Sequence, residues 1–213
     1  MKPDIAHCAP LDATLTNPLG EALLAQWPGF SQSIVQLIQR LGLDTLNLEC
    51  DHVALRVNSN QAADVACQYF AQLGRIISNN QINGRAILII ELAAPLMLAN
   101  MAISCVELPY PSNKSYPTEG WEHIELVLPC DAISCESLIE ALEARVPTLA
   151  RLLQSALHAQ EAPPEFSDIA IKLSSPKGDK ERLANPTIAF KADGVCVKIH
   201  PHGIKAVIAS ERS

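Results

Sequence analysis

Two histidines stand in closely similar surroundings and have the chemistry to bind a metal ion. His52 begins the segment HVALRV and His123 begins the segment HIELVL, so both follow the pattern histidine–aliphatic–x–Leu–x–aliphatic. This alternation predicts two β-strands, in which successive side chains point to opposite faces of a sheet. The aliphatic side chains must face a core, so each histidine lies on the other face. If two such units pair about a pseudo-twofold axis, the two imidazoles face each other across a cleft, where they can bind a divalent metal ion.

A second pair of similar segments supports an internal repeat. The sequence Cys-Val-Glu-Leu at 105–108 is matched by Cys-Val-Lys-Ile at 196–199. Each segment lies downstream of one histidine strand, and the second interval is longer because it contains a longer helical segment and a Pro-rich linker at 161–165. Two copies of a strand–helix–three-strand unit therefore explain the chain better than one irregular domain.

The predicted fold class is α+β, with two βαβββ modules that pair into a curved mixed sheet around a cleft. An N-terminal helical extension precedes them. The predicted bounds are residues 1–45 for the extension, 46–112 for the first module and 113–213 for the second, all within one compact domain. Because Pro28 and Gly29 interrupt the apolar periodicity of the extension, we predict two helices there, the second at about 31–41.

The remaining elements follow from periodicity and from capping and turn residues. Asn58 and Asp131 are the predicted N-caps of the two module helices. Asn83-Gly84 and Asp193-Gly194 predict hairpin turns, because these residues tolerate a positive φ. The predicted helices cover 61–73, 134–158 and 204–210, and the predicted strands cover 51–57, 75–82, 85–92, 101–108, 121–128, 168–173, 187–191 and 195–200.

A third metal ligand is expected from the fourth strand of a module. Glu107 lies in phase with Cys105 and is the natural third ligand, while Lys198 occupies the equivalent position of the second module. His200 lies two residues beyond Lys198, on the same face. Two imidazoles and a carboxylate suit Zn, Fe, Mn, Co or Ni and leave coordination positions open. Alternatively, the histidines are half-buried hydrogen-bonded residues and Glu107 is an exposed charge at a strand end.

The composition indicates a globular protein in a reducing compartment. The net charge of −7 argues against a nucleic-acid-binding protein. Seven cysteines without a C-x-x-C pair are typical of reduced, intracellular proteins. The N-terminal segment lacks the apolar core of a signal peptide, and the most apolar stretch, 86–108, contains Glu91, Pro95 and Asn100. We therefore expect a cytoplasmic monomer or homodimer that binds a small molecule and neither a nucleic acid nor a membrane.

Several motifs together carry a resemblance to a known family. The chain closely resembles the bacterial YecM family from about residue 19 onward. The resemblance rests on DHVALR at 51–56, INGR at 82–85, VELP at 106–109, PTEGWEHIELVLP at 117–129, SSPKG at 174–178, ERL at 181–183 and NPT at 185–187.

The resemblance implies membership of the vicinal-oxygen-chelate superfamily, in which paired βαβββ modules surround a metal site. Glyoxalase I, methylmalonyl-CoA epimerase, extradiol dioxygenases and fosfomycin-resistance proteins belong to that superfamily. Its pattern takes a histidine from each first strand, matching His52 and His123, and a carboxylate from one or both fourth strands, matching Glu107. Lys198 departs from the pattern, which argues against a site with four ligands of the His-Glu-His-Glu type. A three-ligand site remains, or His200 substitutes as a ligand.

Charged residues near the histidines are candidates for catalysis or for substrate binding. Arg56 and Glu125 lie on the histidine faces, where they could act in catalysis or instead form a salt bridge across the cleft. Cations in the predicted loops could bind an anionic substrate, or they could be solvated charges that bind nothing: these are Arg85, Lys177 and Arg182. The candidate ligands for an anionic substrate are Arg85, Lys177, Arg182 and Lys198.

Three functions are compatible with these features. The first is an enzyme whose divalent metal chelates two neighbouring oxygens of a small substrate, for isomerase, epimerase, lyase or, with Fe or Mn, dioxygenase chemistry. The second is a non-catalytic protein that binds a metal or a metabolite in the same cleft. The third is a metal-free scaffold whose cleft holds a peptide or a partner.

Overall fold

The computed structural model describes residues 18–82, 84–112, 115–175 and 182–210. These residues form eight β-strands and five α-helices, joined by short loops and 3₁₀ turns. No helix in this described part is both long and apolar enough to cross a membrane. In chain order the elements are α1 (Pro18–Arg40), β1 (Glu49–Arg56), α2 (Asn60–Leu73), β2 (Gly74–Ile82), β3 (Arg85–Leu98), β4 (Met101–Pro109), β5 (Gly120–Val127), α3 (Cys135–Arg145), α4 (Ala150–Leu157), β6 (Ala170–Ser174), β7 (Thr187–Ala192), β8 (Val195–His200) and α5 (Ile204–Ser210).

The strands form one open mixed sheet with the order β2-β3-β4-β1-β5-β8-β7-β6. β1 lies parallel to β4, and β5 lies parallel to β8. β1 and β5 pair antiparallel at the middle of the sheet, so the two histidine strands are direct neighbours. The mixed sheet with helices agrees with the predicted α+β class, and its central pair brings the two candidate strands together.

Four helices cover one face of the sheet. The main core contains Val53 and Leu55 from β1 together with Ile124 and Leu126 from β5, all almost completely buried. This confirms that the aliphatic side chains of the two histidine strands face the core. Burying such a side chain contributes about 1.5–3 kcal/mol. The alternating pattern therefore sets which face of each strand is turned away from the helices. The helices that supply the other side of this core are α1, α2, α3 and α4.

Two predicted helices differ from those observed. The extension forms one helix, α1, which continues through Pro28. Pro28 and Gly29 are exposed, so the carbonyl that loses its hydrogen bond can be hydrated, while Trp27 and Phe30 pack beside Trp121 of β5. The long second helix is divided into α3 and α4 by a 3₁₀ turn at Pro147–Leu149, because proline cannot continue the hydrogen-bond ladder.

The N-caps of α2 and α3 are serines. Ser59 accepts a hydrogen bond from the Ala62 amide at the start of α2. Ser134 accepts one from the Ser137 amide at the start of α3, as part of a capping box. The predictions of Asn58 and Asp131 as caps were therefore wrong, because a residue nearer the helix satisfies the free amides.

The predicted hairpin at Asp193-Gly194 is confirmed. Both residues have a positive φ, 50° and 79°, and the flanking residues Ala192 and Val195 are paired. This is the geometry of a type I′ turn, which suits the twist of two antiparallel strands. The other predicted turn falls partly outside the described residues, at Asn83, although Ile82 and Arg85 on either side of it are paired.

Candidate metal centre

Strand register brings four potential metal ligands to the face opposite the four helices. On β1, His52 lies opposite Glu125 of β5, and Ala54 lies between His123 of β5 and Glu107 of β4. Residues directly opposite each other on neighbouring strands point to the same face. The short side chain of Ala54 therefore leaves room for His123 and Glu107 to approach each other above it.

The four side chains present their ligand atoms to one point. His52 Nε2 lies 3.7 Å from Glu107 Oε2 and 3.5 Å from Glu125 Oε1. His123 Nε2 lies 3.2 Å from Glu125 Oε1 and 4.0 Å from Glu107 Oε1. The ligand atoms all lie within 4.8 Å of one another.

These residues fit a divalent metal ion. Bonds of about 2.1 Å place the ligand atoms of one ion about 3.0–4.2 Å apart, and the four imidazole–carboxylate separations given above lie within this range. His52 Nε2 is buried and makes no hydrogen bond to the part of the chain that the structure describes. An unpaired buried nitrogen is costly in free energy, and coordination would satisfy it. Two imidazoles and two carboxylates suit the same metals as the predicted three-ligand set.

A buried polar network supports His52 from behind. Asp51 Oδ1 lies 3.0 Å from His52 Nδ1, which leaves Nε2 directed at the candidate centre. The other oxygen of Asp51 accepts a hydrogen bond from the Ile204 amide at the start of α5. His200 is fully buried, and its Nε2 lies 3.4 Å from Asp51 Oδ1 while its Nδ1 accepts a hydrogen bond of 2.9 Å from Asn185. The structure therefore places His200 beside Asp51, outside the group of four.

The carboxylate nearest the other nitrogen of His123 is more exposed and makes no hydrogen bond to it. Its Nδ1 lies 3.3 Å from Glu122 Oε2, and Glu122 also forms an ion pair with Arg56. The guanidinium of Arg56 lies 3.9 Å from the ring centre of Tyr116. Arg56 thus pairs with Glu122, and the predicted alternative of a salt bridge between Arg56 and Glu125 does not form.

Glu125 is held by Lys198 of β8. Lys198 Nζ donates a hydrogen bond of 2.7 Å to Glu125 Oε1. Burial raises the pKa of Glu125, but Lys198 and His52 outweigh burial and lower the pKa well below its usual range. Glu125 is therefore ionised, as a metal ligand must be. The sequence placed this carboxylate on the right face as a catalytic candidate but did not identify it as a ligand.

The two histidines differ in charge. Burial lowers the pKa of His52, but Asp51 and Glu125 outweigh burial and raise the pKa well above its usual range. Burial, together with the charge of Lys198, lowers the pKa of His123 to about 4. At neutral pH His123 is thus neutral and its Nε2 donates a hydrogen bond to the ionised Glu125, so that proton would have to move to Nδ1 for a metal ion to bind, whereas the charged His52 would lose a proton.

A cavity of about 330 Å³ adjoins the candidate centre. Glu107 and His123 lie in its wall, as do three of the predicted catalytic or substrate-binding residues, Arg56, Arg85 and Lys198. A larger cavity of about 530 Å³, near the end of α1, contains none of the four ligand candidates in its lining. We therefore assign the smaller cavity to the site.

Two of the predicted substrate-binding residues are not placed at this cavity. The amide of Arg182 donates a hydrogen bond to Ser210 of α5, and Arg182 is absent from the residues that line the cavity. Lys177 lies outside the described residues. Lys172 and Lys191 do line the cavity, although the sequence did not indicate them. In the sequence, only the alternation of side chains along the segments that form β6 and β7 could have indicated these two lysines.

The chain has close relatives among known proteins. The family model described as "YecM protein" matches residues 20–211. The chain is 41% identical to Protein YecM of Escherichia coli over 186 residues, 87% of this chain and 90% of that protein. It is 39% identical to an uncharacterized protein of Haemophilus influenzae over 189 residues, 86% of this chain and 91% of that protein.

A solved structure is also similar to this chain over nearly its whole length. The structure described as "Structural Genomics, Protein EC4020" aligns with a TM-score of 0.70 at 36% identity, covering 90% of this chain and 92% of that chain. The likeness thus extends over sequence and fold, and over nearly the whole length of each protein. The chain belongs to the YecM family.

Proposed function

We propose that this chain binds one divalent metal ion through His52, His123, Glu107 and Glu125 and uses it as an enzyme on a small, oxygen-rich substrate. The observation that carries the proposal is the convergence of the four ligand atoms from three neighbouring strands, within 4.8 Å of one another. Their position beside a cavity supports access for a substrate.

The proposed architecture is that of a vicinal-oxygen-chelate protein, with two βαβββ modules around the metal. The arrangement of parallel strand pairs supports this, since β1 with β4 and β5 with β8 repeat the same relation. The register also repeats, because His52 lies opposite Cys105 in one pair and His123 lies opposite Cys196 in the other. The proposed domain bounds are those predicted above.

The residues at the cavity have distinct proposed roles. When bound, a divalent ion supplies Lewis-acid polarisation of substrate oxygens, which suits isomerase, epimerase, lyase or dioxygenase chemistry. Arg56, held against Tyr116 and Glu122, binds and orients the substrate at the cavity wall. Lys198 keeps Glu125 ionised and places a positive charge beside the reacting end of the substrate.

Metal analysis of protein purified without a histidine tag tests the first step. We expect about one equivalent of Zn, Fe, Mn, Co or Ni per chain. In His52→Ala and His123→Ala the affinity should fall by more than about 100-fold, since even the partners that orient ligands contribute 10–100-fold. The control is His158→Ala, which removes an exposed histidine far from the cluster in sequence. Wild-type protein that binds none of these metals would contradict the proposal.

An activity screen tests the second step. The metal-loaded protein is assayed with 2-oxo acids, hemithioacetals, acyl-CoA epimers and catechols, and His52→Ala serves as the inactive control. Turnover that is lost in the variant supports the enzyme. Full metal occupancy without turnover on any class would favour the alternative, a non-catalytic protein that binds a metal or a small molecule in this cleft.

A further inference from the structure

We propose that the cavity beside the metal centre binds a second acidic group of the substrate, a carboxylate or a phosphate, between Lys172 and Lys191. This inference deepens the proposed function because it assigns the substrate class, a small molecule with an acidic group at the end away from the metal. The lysine pair itself does not depend on the metal, so it can be tested separately.

Strand register positions Lys191 relative to the candidate ligand His123. On β8, Cys196 pairs with His123 on one side and with Lys191 of β7 on the other. Lys191 is thus two strands away from His123, about 10 Å across the sheet. Residues opposite each other share a face, so the ammonium group and the imidazole belong to the same side of the sheet.

A second row of paired residues, running across the strands from Glu125, leads to Lys172. Lys198 pairs with Glu125 on one side and with Ala189 of β7 on the other, and Ala189 pairs with Lys172 of β6. Lys172 therefore lies on the same face, three strands from Glu125. Both lysines line the cavity and both are exposed at its rim.

Small side chains form the floor between these cations. Ala170, Ala189 and Cys196 line the cavity in the two rows that lead to the lysines. Burial raises the pKa of Cys196 to about 11, so its thiol adds no negative charge to the floor. The cavity of about 330 Å³ is near the lower limit for ligand sites, which favours a small substrate.

The charge of the cavity wall contrasts with that of the whole chain. Five cationic side chains line the cavity against two carboxylates, whereas the chain has a net charge of −7. Arg56 and Lys198 are paired with glutamates. Arg85, Lys172 and Lys191 form no ion pair with any residue that the structure describes. Positive charge without a partner around a concave surface favours an anionic ligand.

Calorimetric titration of the metal-free protein at fixed ionic strength tests the lysine pair. Inorganic phosphate and succinate are the probes, titrated separately, and the tighter of the two identifies the acidic group. We expect a Kd of ~1 mM or lower for at least one of them. In Lys172→Gln/Lys191→Gln this affinity should fall by at least ~10-fold, because both charge-assisted hydrogen bonds are lost.

The control is Lys205→Gln, which removes an exposed lysine that pairs with Glu91 and lines no part of this cavity. It should bind the probe as the wild type does. Absence of binding of both probes to the wild type, or equal binding to the wild type and to the double variant, overturns the inference. Because no metal is present, either result is separate from failure of the metal analysis, which concerns only the proposed function.

Discussion

The two halves of the sheet reach the candidate metal centre by different routes. In the first half, the residue opposite Ala54 on β4 is Glu107, whose carboxylate belongs to the candidate ligand group. In the second half, the corresponding pair is Glu125 on β5 and Lys198 on β8. In the second half the carboxylate therefore lies on the strand that carries the histidine, and a cation lies opposite it on the neighbouring strand.

The two halves therefore supply a carboxylate to the same group of ligand atoms from different strand positions. Glu125 lies two residues beyond His123 on the same strand and directly opposite His52 on the next strand. A carboxylate at that point reaches both imidazoles, at 3.2 and 3.5 Å. The second half therefore keeps the negative charge of the ligand set and adds a positive charge that faces the cavity.

The largest expected effect is on protein stability, and it distinguishes Glu125 from Glu107. Glu125→Gln should lower the free energy of unfolding of the metal-free protein by about 3 kcal/mol, because Lys198 and the protonated His52 lose a buried partner. Glu107→Gln should lower it by less than about 1 kcal/mol, since its imidazole contacts are longer than hydrogen bonds. Urea unfolding of both variants measures the difference. Equal losses would show that the two carboxylates have equivalent structural roles.

The supporting carboxylates provide the next comparison. Asp51 is buried and lies 3.0 Å from His52 Nδ1, whereas Glu122 is partly exposed and lies 3.3 Å from His123 Nδ1. Asp51→Asn should weaken metal binding by about 10–100-fold because the orientation of the His52 ring is no longer held. Glu122→Gln should weaken it by less than about 10-fold. Competition with a chelator measures both affinities, and a larger loss in Glu122→Gln would reverse the comparison.

A symmetrised variant tests whether a carboxylate on β8 can replace the one on β5. Glu125→Ala/Lys198→Glu copies the Ala54 and Glu107 arrangement into the second half. We expect metal affinity within about 10-fold of the wild type, whereas Glu125→Ala alone should lose more than that. The same chelator assay compares the two variants. If the double variant binds no better than the single one, the two halves are not interchangeable at this position.

The smallest expected effects concern the helix caps of the two halves. Ser134→Ala removes a capping box, and Ser59→Ala removes a single side-chain cap. Each should lower the free energy of unfolding by ~1 kcal/mol, with the larger loss for Ser134→Ala. Thermal and urea unfolding are the measurements. Asp131→Ala, at a position that local sequence favours, would give a larger loss than Ser134→Ala if Asp131 were the cap of α3.

Local sequence determined most of the secondary structure and the face on which the histidines lie. Alternation of aliphatic residues is a property of each strand alone, so β1, β5 and β8 could be predicted almost to their ends, and α5 to its observed bounds. The Asp193-Gly194 turn could be predicted in the same way, because these two residue types by themselves favour a positive φ. Helix α1 was predicted less well, because packing of Trp27 and Phe30 against β5 keeps it continuous through Pro28.

Only the tertiary structure decided which side chains meet. The sequence placed His52 and His123 on comparable faces and proposed Glu107 beside them, but it could not show that β1 and β5 are neighbours with His52 opposite Glu125. That register joins residues more than seventy positions apart, and no local pattern encodes it. The same holds for Lys172 and Lys191, which reach the cavity only because β6, β7 and β8 pair in order.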